Sequence, residues 1–259
     1  MNKDDFLKMA SDDQYLSGIY NYCDRWCEKC PFTSRCLNYT ALQELGDGKD
    51  ISGLSLNESF DIIKDIFDLT AELLEEFAEK EGIDLSEIDD EEYSIEEEVR
   101  RVEEHPLSVK AAQYFHLVYH WLNTRDKIVK SRFDEYLNLT EMGFDEDVQF
   151  KKAEELNEAL EIIRWYYTFI RVKINSALNI KYFENLLDDP EHFDEQLNIA
   201  AKLALIGCSK SLEAWNLLYK ILDEDEDELL KILAYLKNLS NEIRKEFPSA
   251  EAFKRPYFE

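Results

Sequence analysis

The sequence predicts an all-α fold, a multi-helix bundle that begins with a four-cysteine metal or cluster loop. Strand signals are almost absent, since no Asn-Gly or Asp-Gly turn lies between two runs of alternating apolar residues. Helix start and stop signals recur along the chain instead. Of the 259 residues, 45% are hydrophobic, which is enough for a core. Only 7 are Gly and 5 are Pro, so few residues interrupt a helix. We expect two parts, residues 1–50 with the cysteines and residues 51–259 with the other helices, joined in one continuous fold.

The N-terminal elements follow from local signals. A first helix is predicted over residues 4–27, running into the cysteines, and a short helix over 37–45 ends at a glycine. Ser55 and Glu58 have the spacing of a capping box, so a third helix begins there and runs to Glu81, just before another glycine. The apolar stripe of this helix consists of Phe60, Ile63, Phe67, Leu74 and Phe77.

The remaining helices are predicted from the same kinds of signal. A second capping box, Ser94 with Glu97, precedes a short charged helix. Pro106 stands at a first helical position and opens a helix that continues to Tyr136. Further helices are predicted over residues 147–178, from the Asp189-Pro190 start to Gly207, over 209–222 and over 226–246.

Four of the five cysteines, Cys23, Cys27, Cys30 and Cys36, form a C-x3-C-x2-C-x5-C pattern. If the first helix continues this far, Cys23 and Cys27 share one of its faces and the chain turns after Cys30. Cys36 then opens the next helix, whose N-terminus stabilises a thiolate. Three elements can aim four thiolates at one point, so we predict that these cysteines are the ligands of a metal site. Cys208 stands alone and is expected to be a small core residue.

Four thiolates suit either a zinc ion or an iron–sulfur cluster. Structural zinc usually takes its ligands as two pairs with a longer spacer, whereas a compact four-cysteine loop is more typical of a [4Fe–4S] cubane. We therefore expect a [4Fe–4S] cluster, with zinc as the alternative. Arg25, Lys29 and Arg35 are the expected counter-charges, and Trp26 and Phe32 are placed to exclude water from the centre.

A resemblance supports the cluster. The stretch Cys27-Glu28-Lys29-Cys30-Pro31-Phe32-Thr33-Ser34-Arg35-Cys36-Leu37 resembles the C-x2-C-P-x4-C-L segment of WhiB-like iron–sulfur proteins. It is also similar to the cluster loop of endonuclease III-type DNA glycosylases, in which C-x2-C-x5-C closes a [4Fe–4S] site. The likeness covers eleven of the 259 residues and implies a [4Fe–4S] cluster at Cys23, Cys27, Cys30 and Cys36.

The departures from these families limit what the resemblance implies. The first cysteine stands four residues before the second, closer than in either family, and the helix-hairpin-helix of the glycosylases is missing, so their activity is not carried over. The basic tail of the WhiB-like regulators is missing too. The first three cysteines have the spacing of radical SAM enzymes, but the fourth leaves no open iron. The whole chain also resembles a family of uncharacterised bacterial helical proteins, which share a similar cysteine loop and the segment here at Ala201–Gly207.

Other candidate sites are weaker. His116 and His120 have an H-x3-H spacing that can bind a metal, but they belong to a polar stripe that we expect to face water. Lys173 lies among apolar positions, where a lysine reaches solvent, pairs with a buried acid or lines a cavity. If the C-terminal helices enclose a pocket, Lys173, Tyr166 and Trp165 are expected to line it. The sequence contains no Gly-rich phosphate loop and no G-x-S-x-G elbow, which argues against kinases and serine hydrolases.

The net charge of the chain limits the classes of molecule that we expect it to bind. The formal net charge is −27, which argues against nucleic acid and against anionic membrane surfaces. Residues 84–104 contain eleven acidic and two basic residues, and residues 223–228 are all acidic. We expect these runs to be solvated, with docking of a basic protein partner as the alternative. The N-terminus lacks the apolar core of a secretory signal and no apolar run reaches the roughly 18 residues of a membrane span, so a cytoplasmic location is expected.

Two function classes are therefore predicted. The first is a metal-binding helical protein with a [4Fe–4S] cluster, of a redox or sensor type. The second is a zinc-stapled helical interaction module without catalytic activity. A weaker third class is an enzyme with a pocket in its C-terminal helices. The oligomeric state stays open.

Overall fold

The computed structural model describes residues 3–46, 55–83, 95–183 and 190–259, and these residues contain nine α-helices and no strand. They fall into two compact units. The first, here called the cysteine unit, comprises the described residues up to 83 together with Pro256–Phe258. The second, the helical unit, comprises Ile95–Arg255 and Glu259. The all-α prediction is confirmed for this part of the chain, while the predicted boundary after residue 50 lies outside the described residues.

The cysteine unit contains three helices, α1 (Lys3–Ala10), α2 (Leu37–Leu45) and α3 (Leu56–Glu81). The second and third begin and end where the sequence predicts. Ser55 accepts a hydrogen bond from the Glu58 backbone, and the Glu58 carboxylate accepts one from the Ser55 N–H, which completes the capping box. At the other end of α3, Gly82 adopts a left-handed conformation with φ of 70°.

The predicted first helix over residues 4–27 is wrong, because α1 ends at Ala10. The Asp12 carboxylate accepts a hydrogen bond from the backbone N–H of Gln14, a local turn that competes with helix. Gly18 then takes a φ of 66°, which helical residues do not adopt. Three single 3₁₀ turns follow, at Ile19–Asn21, Cys27–Lys29 and Thr33–Arg35. No helical face therefore presents the first two cysteines together.

The apolar stripe of α3 lies on the surface. Phe60, Ile63, Phe67, Leu74 and Phe77 are all exposed, and Phe67 exposes 70% of its surface. Ala78 is the one buried residue of this helix. The residues around the stripe are strongly acidic, since α3 contains nine Asp and Glu against two Lys. The helix is thus amphipathic, with its apolar face accessible to a partner.

The helical unit contains six helices, α4 (Ile95–Glu104), α5 (Pro106–Thr124), α6 (Asp126–Glu141), α7 (Glu146–Phe183), α8 (Pro190–Ile221) and α9 (Glu226–Glu246). The two longest, α7 and α8, pack against each other most extensively, and α5 and α9 complete the core. The largest fully buried side chains include Trp215, Tyr114 and Tyr166. The indole of Trp215 donates a hydrogen bond to the Tyr114 hydroxyl at 3.1 Å, so these two buried aromatic side chains pair their polar groups.

The helix predicted from Pro106 to Tyr136 is two helices, with a break at Arg125. The side chains of Asn123 and Thr124 donate hydrogen bonds back to the carbonyls of Tyr119 and His120, at 2.6 and 2.8 Å. Such side-chain bonds compete with the backbone hydrogen bonds that would continue the helix. The Ser94 and Asp189 caps predicted for α4 and α8 lie outside the described residues. None of the helices in the described ranges is both long and apolar enough to cross a membrane.

The predicted helix end at Gly207 is also wrong, because α8 continues through this residue to Ile221. The glycine permits a close approach between helices instead. A Cβ atom at position 207 would lie 2.9 Å from Cγ1 of Ile170 and 3.1 Å from Cδ1 of Tyr166, both on α7. No ordinary Cβ contact is that short, so the absence of a side chain sets the distance between α7 and α8.

Replacing Gly207 by alanine is expected to destabilise the helical unit by about 1–2 kcal/mol, because the overpacking against α7 exceeds the gain in helix propensity. Chemical unfolding followed by circular dichroism measures the change. Ser209→Ala is the matched control, since Ser209 lies exposed on the same helix and should change the free energy of unfolding by less than about 0.5 kcal/mol. A Gly207→Ala protein as stable as the control would contradict the close packing.

Candidate functional site

The four clustered cysteines lie in the turns between α1 and α2, and all are half-buried free thiols. Cys27 begins one of the 3₁₀ turns, and Cys30 follows it, with its backbone N–H donating to the Cys27 carbonyl at 3.1 Å. Cys36 is the residue that precedes α2, as the sequence predicts. The four thiols thus lie on or beside successive tight turns within one short stretch of the cysteine unit.

The thiols are close enough to influence one another. Burial is the largest cause that raises the pKa of the Cys27 thiol to about 11, and the neighbouring Cys23, Cys36 and Cys30 contribute to the same rise. Burial also raises the pKa of Cys23, while a hydrogen bond from the Arg25 backbone lowers it. A metal ion bound among these sulfurs would instead lower their pKa values, because a bound metal ion stabilises thiolates.

Backbone N–H groups point at two of the sulfurs. The N–H of Phe32 donates to Sγ of Cys30 at 3.4 Å, two residues further along the chain. The Arg25 N–H stands in the same relation to Cys23. Arg25 adopts a φ of 61°, which a non-glycine residue rarely takes and which turns the backbone there. Bonds of this kind stabilise a negative charge on sulfur and tune a thiolate-bound centre.

The side chains do not converge on one point as they are placed. Among the residues that the structure describes, no three or more His, Cys, Asp and Glu side chains are arranged to hold a metal ion. The donor set of four free thiols has the chemistry that zinc or an iron–sulfur cluster requires. The assignment of Cys23, Cys27, Cys30 and Cys36 as ligands therefore stays a prediction.

Residues near the end of the sequence pack onto residues 11–36, here called the cysteine segment. The ring of Phe258 lies edge-to-face on Phe32, with ring centroids 5.2 Å apart. The Tyr257 hydroxyl donates to the Ser17 carbonyl at 3.1 Å. Sequence reasoning missed this cover, because no local pattern links residues so distant along the chain. Phe32 thus packs on Phe258 with its ring and donates to Cys30 with its backbone N–H.

The expected counter-charges lie within the cysteine segment itself. Arg25 is exposed, and Arg35 donates from Nε to the Gln14 carbonyl at 3.3 Å. Nζ of Lys29 lies 5.8 Å from the ring centroid of Trp26, which is half-buried. These three cations stand out from the acidic background of the chain, and cations nearby favour thiolates over thiols.

The other candidate residues lie in the helical unit. His116 and His120 are exposed on α5, as predicted, and line an open cavity of about 360 Å³ with Trp121 and Glu228. Cys208 is fully buried, which confirms its place in the core, and burial raises its pKa to about 12.

Lys173 is half-buried, with its Nζ 5.6 Å from the ring centroid of Phe169. Tyr166 is fully buried, and Trp165 is half-buried. Neither the cavity beside the histidines nor a second one between α6 and α7 is lined by Lys173, Tyr166 or Trp165. A shared pocket for these three residues therefore remains a prediction.

One acidic residue differs from the expectation of a solvated charge run. Asp225 lies between α8 and α9 and is buried. Its carboxylate accepts a hydrogen bond from Nε1 of Trp121 at 2.5 Å and forms an ion pair with Nε of Arg125 at 2.8 Å. The sequence contained no sign of this contact, because the six acidic residues of the run look alike.

No protein-family model, curated protein or solved structure matches the chain.

Proposed function

We propose that this protein is a metal-binding helical protein, of a redox or sensor type, that holds a [4Fe–4S] cluster through Cys23, Cys27, Cys30 and Cys36. The observation that carries the proposal is the grouping of four half-buried free thiols on successive tight turns. Their mutual effect on the Cys27 pKa reflects this proximity. The cluster would supply one-electron chemistry or oxygen sensitivity, and the cytoplasm would keep the thiols reduced.

The low burial of the cysteine segment supports a structural role for a bound metal. Between residues 11 and 36, all of which the structure describes, Ile19 is the one buried side chain. So little apolar burial cannot offset the entropy of ordering a segment of this length. Small elements without a core are commonly held by disulfides or by a structural metal, and these cysteines are free. Four thiolates on one centre would tie the turns together and contribute folding energy directly.

Local hydrogen bonds and charge favour a thiolate-bound centre. The backbone donors at Arg25 and Phe32 offset negative charge on Cys23 and Cys30. A [4Fe–4S] cluster with four thiolates is net negative, so the cations nearby would offset its charge. The edge-to-face contact of Phe32 with Phe258 would limit the access of water on that side.

A second candidate is a zinc-stapled interaction module without catalytic activity. The exposed apolar stripe of α3, in the same unit as the cysteines, favours it. The acidic flanks of the stripe would suit a basic protein partner rather than nucleic acid or an anionic membrane. A weaker candidate is an enzyme with a pocket among the C-terminal helices, which the cavity beside His116 and His120 favours.

Elemental analysis separates the candidates. The protein is purified without oxygen, and iron, acid-labile sulfide and zinc are measured per chain. We expect a brown protein with iron and sulfide close to four per chain, as a cubane requires. One zinc per colourless chain would support the interaction module instead. A protein that carries neither iron nor zinc would overturn both proposals for the cysteines.

The Cys30→Ser substitution is expected to remove most of the bound metal, because serine is a poor ligand for soft metals and the Phe32 N–H would lose its sulfur acceptor. Metal content per chain after anaerobic purification gives the result. Cys208→Ala is the control, since this thiol lies in the core of the helical unit and its loss should leave metal content unchanged. Full retention of metal by Cys30→Ser would remove Cys30 from the ligand set.

A further inference from the structure

The exposed apolar stripe of α3 follows the heptad of a coiled coil. From Leu56 to Phe77 its residues recur at alternating intervals of four and three, over three heptads. This is the spacing of the a and d positions, which form the seam between two coiled helices. The seam of α3, as we call this row, consists of Leu56, Phe60, Ile63, Phe67, Thr70, Leu74 and Phe77. Its spacing indicates that the partner surface is another helix.

No described part of the chain covers the seam. Its six apolar residues are between 46% and 79% exposed. Because a large side chain has roughly 150–250 Å² of surface, the seam presents on the order of 600 Å² of apolar surface. That area is at the upper limit of what monomeric proteins leave exposed in one patch. Two such seams packed together would bury roughly 1,200 Å², which reaches the range of specific protein interfaces.

The one polar residue of the seam can be buried without loss. The hydroxyl of Thr70 donates to the Ile66 carbonyl at 2.7 Å, within the same helix. Burial of Thr70 against a second helix would therefore leave no donor unpaired. The seam is thus suited to burial along its whole length.

The charges of α3 indicate which helix packs there. In a coiled coil the e and g positions lie beside the seam, and their charges set the choice of partner. On α3 no acidic residue occupies them; they are Asn57, Ser59, Lys64, Ile66, Ala71, Leu73, Ala78 and Lys80. Eight of the nine acidic residues of α3 lie at the outer b, c and f positions, and Glu81 follows the seam. This pattern keeps like charges apart when two copies pair, whereas recruitment of a basic helix would favour acids beside the seam.

We propose that the seam of α3 is a dimer interface that packs against the same seam of a second copy of this chain. A two-fold axis relates the copies, so the same apolar residues meet from both sides. The outer acidic rows stay in solvent, where a basic partner of the kind named for the interaction module can still contact them. The proposal is independent of the metal, because no seam residue belongs to the cysteine segment.

Sedimentation velocity of the full chain tests the proposal directly. We expect a dimer whose share rises with protein concentration from low to high micromolar. Phe67→Glu should weaken the dissociation constant at least about a hundredfold, because each copy would bring a charge into an apolar interface. The side chain is 70% exposed in the single chain, so the variant should still fold, which circular dichroism checks. A chain that stays monomeric at every concentration, or a dimer that Phe67→Glu leaves unchanged, would overturn the proposal.

Two further variants keep the test specific. Val172→Glu is the matched control, since Val172 is 52% exposed on α7 and the same kind of change is made outside the seam. It should leave the dissociation constant unchanged, and equal weakening by both glutamate variants would place the interface elsewhere. Thr70→Leu should tighten the dimer at least about tenfold, because it adds apolar contact from both copies. Failure of Thr70→Leu to tighten the dimer would contradict burial of the seam, even if Phe67→Glu does not fold.

A basic partner is the alternative occupant of the seam. A lysine-rich amphipathic helical peptide serves as the probe, and it is added to the chain before sedimentation. We expect the dimer to persist, because the peptide finds no acidic residue beside the seam. Dissociation of the dimer into monomers that carry the peptide would overturn the second copy in favour of a basic partner.

Discussion

Replacing Asp225 by alanine is expected to lower the free energy of unfolding of the helical unit by about 3 kcal/mol. The carboxylate is 5% exposed and links α5 to the turn before α9. Its removal leaves the Trp121 indole N–H buried without an acceptor and leaves the Arg125 guanidinium without its counter-charge. Loss of the carboxylate costs more than the pair contributes, because the Trp121 indole that stays behind is already out of water and Arg125 is only partly solvated.

Urea unfolding monitored by tryptophan fluorescence measures this change well, because Trp121 packs edge-to-face on Trp215 at 5.0 Å. Asp223→Ala is the matched control in the same acidic run. Asp223 is exposed, so its replacement should change the free energy of unfolding by less than about 0.5 kcal/mol. Asp225→Asn should fall between the two, since an amide keeps one acceptor but no charge. Equal stability of the two alanine variants would show that the buried network contributes nothing.

Removing the proposed metal centre is expected to unfold the cysteine segment, residues 11–36, and to leave the helical unit folded. The reason is the contrast in burial. Ile19 is the one buried side chain across residues 11–36, whereas α7 and α8 bury a continuous core. Structural zinc contributes apparent free energies of about 10–16 kcal/mol to small folds at neutral pH, more than this segment could replace by packing.

Hydrogen exchange with and without a chelator measures the effect peptide by peptide. Amides that bridge the segment, such as Leu16 N–H on the Arg35 carbonyl at 2.9 Å, should lose protection when the metal is removed. Peptides from α8 serve as the internal control and should exchange at the same rate in both states. Unchanged protection at Leu16 after complete removal of the metal would mean that packing alone holds the turns.

Helix ends with a strictly local cause were the part of the fold that the sequence could predict. The Ser55 capping box, Gly82 and the Cys36 start of α2 act within about one turn of the chain, and all three are confirmed, as is the predicted span of α9. A capping interaction needs only neighbours in sequence, so its signal survives without any knowledge of the tertiary structure.

Two of the wrong predictions concern residues whose role depends on distant partners. Gly207 looks like a helix stop, yet it is a contact point for Ile170 and Tyr166 of another helix. Asp225 looks like its acidic neighbours, yet it alone meets Trp121 and Arg125. In both cases tertiary packing overrides a local preference, and the local sequence pattern does not show which helix will lie opposite.

The candidate site, too, could be predicted from the sequence only in part. The grouping of four thiols in one segment follows from spacing, and the structure adds the donors that spacing does not show, such as Phe32 N–H on Cys30. The helical face expected for the first two cysteines fails because Asp12 and Gly18 end the helix early. Turns rather than a helix thus place the sulfurs, and turns depend on side-chain hydrogen bonds that periodicity does not register.

The packing of Tyr257 and Phe258 onto the cysteine unit has a consequence for biosynthesis. A ribosome releases Phe32 more than two hundred residues before Phe258. At about 5–20 residues per second, the interval is on the order of ten seconds or more. During that time the nascent chain presents its thiols without their final aromatic cover, while the intervening helices can already fold. Synthesis from the N-terminus thus completes the cysteine unit last, and this leaves an interval in which the proposed inorganic centre would be inserted.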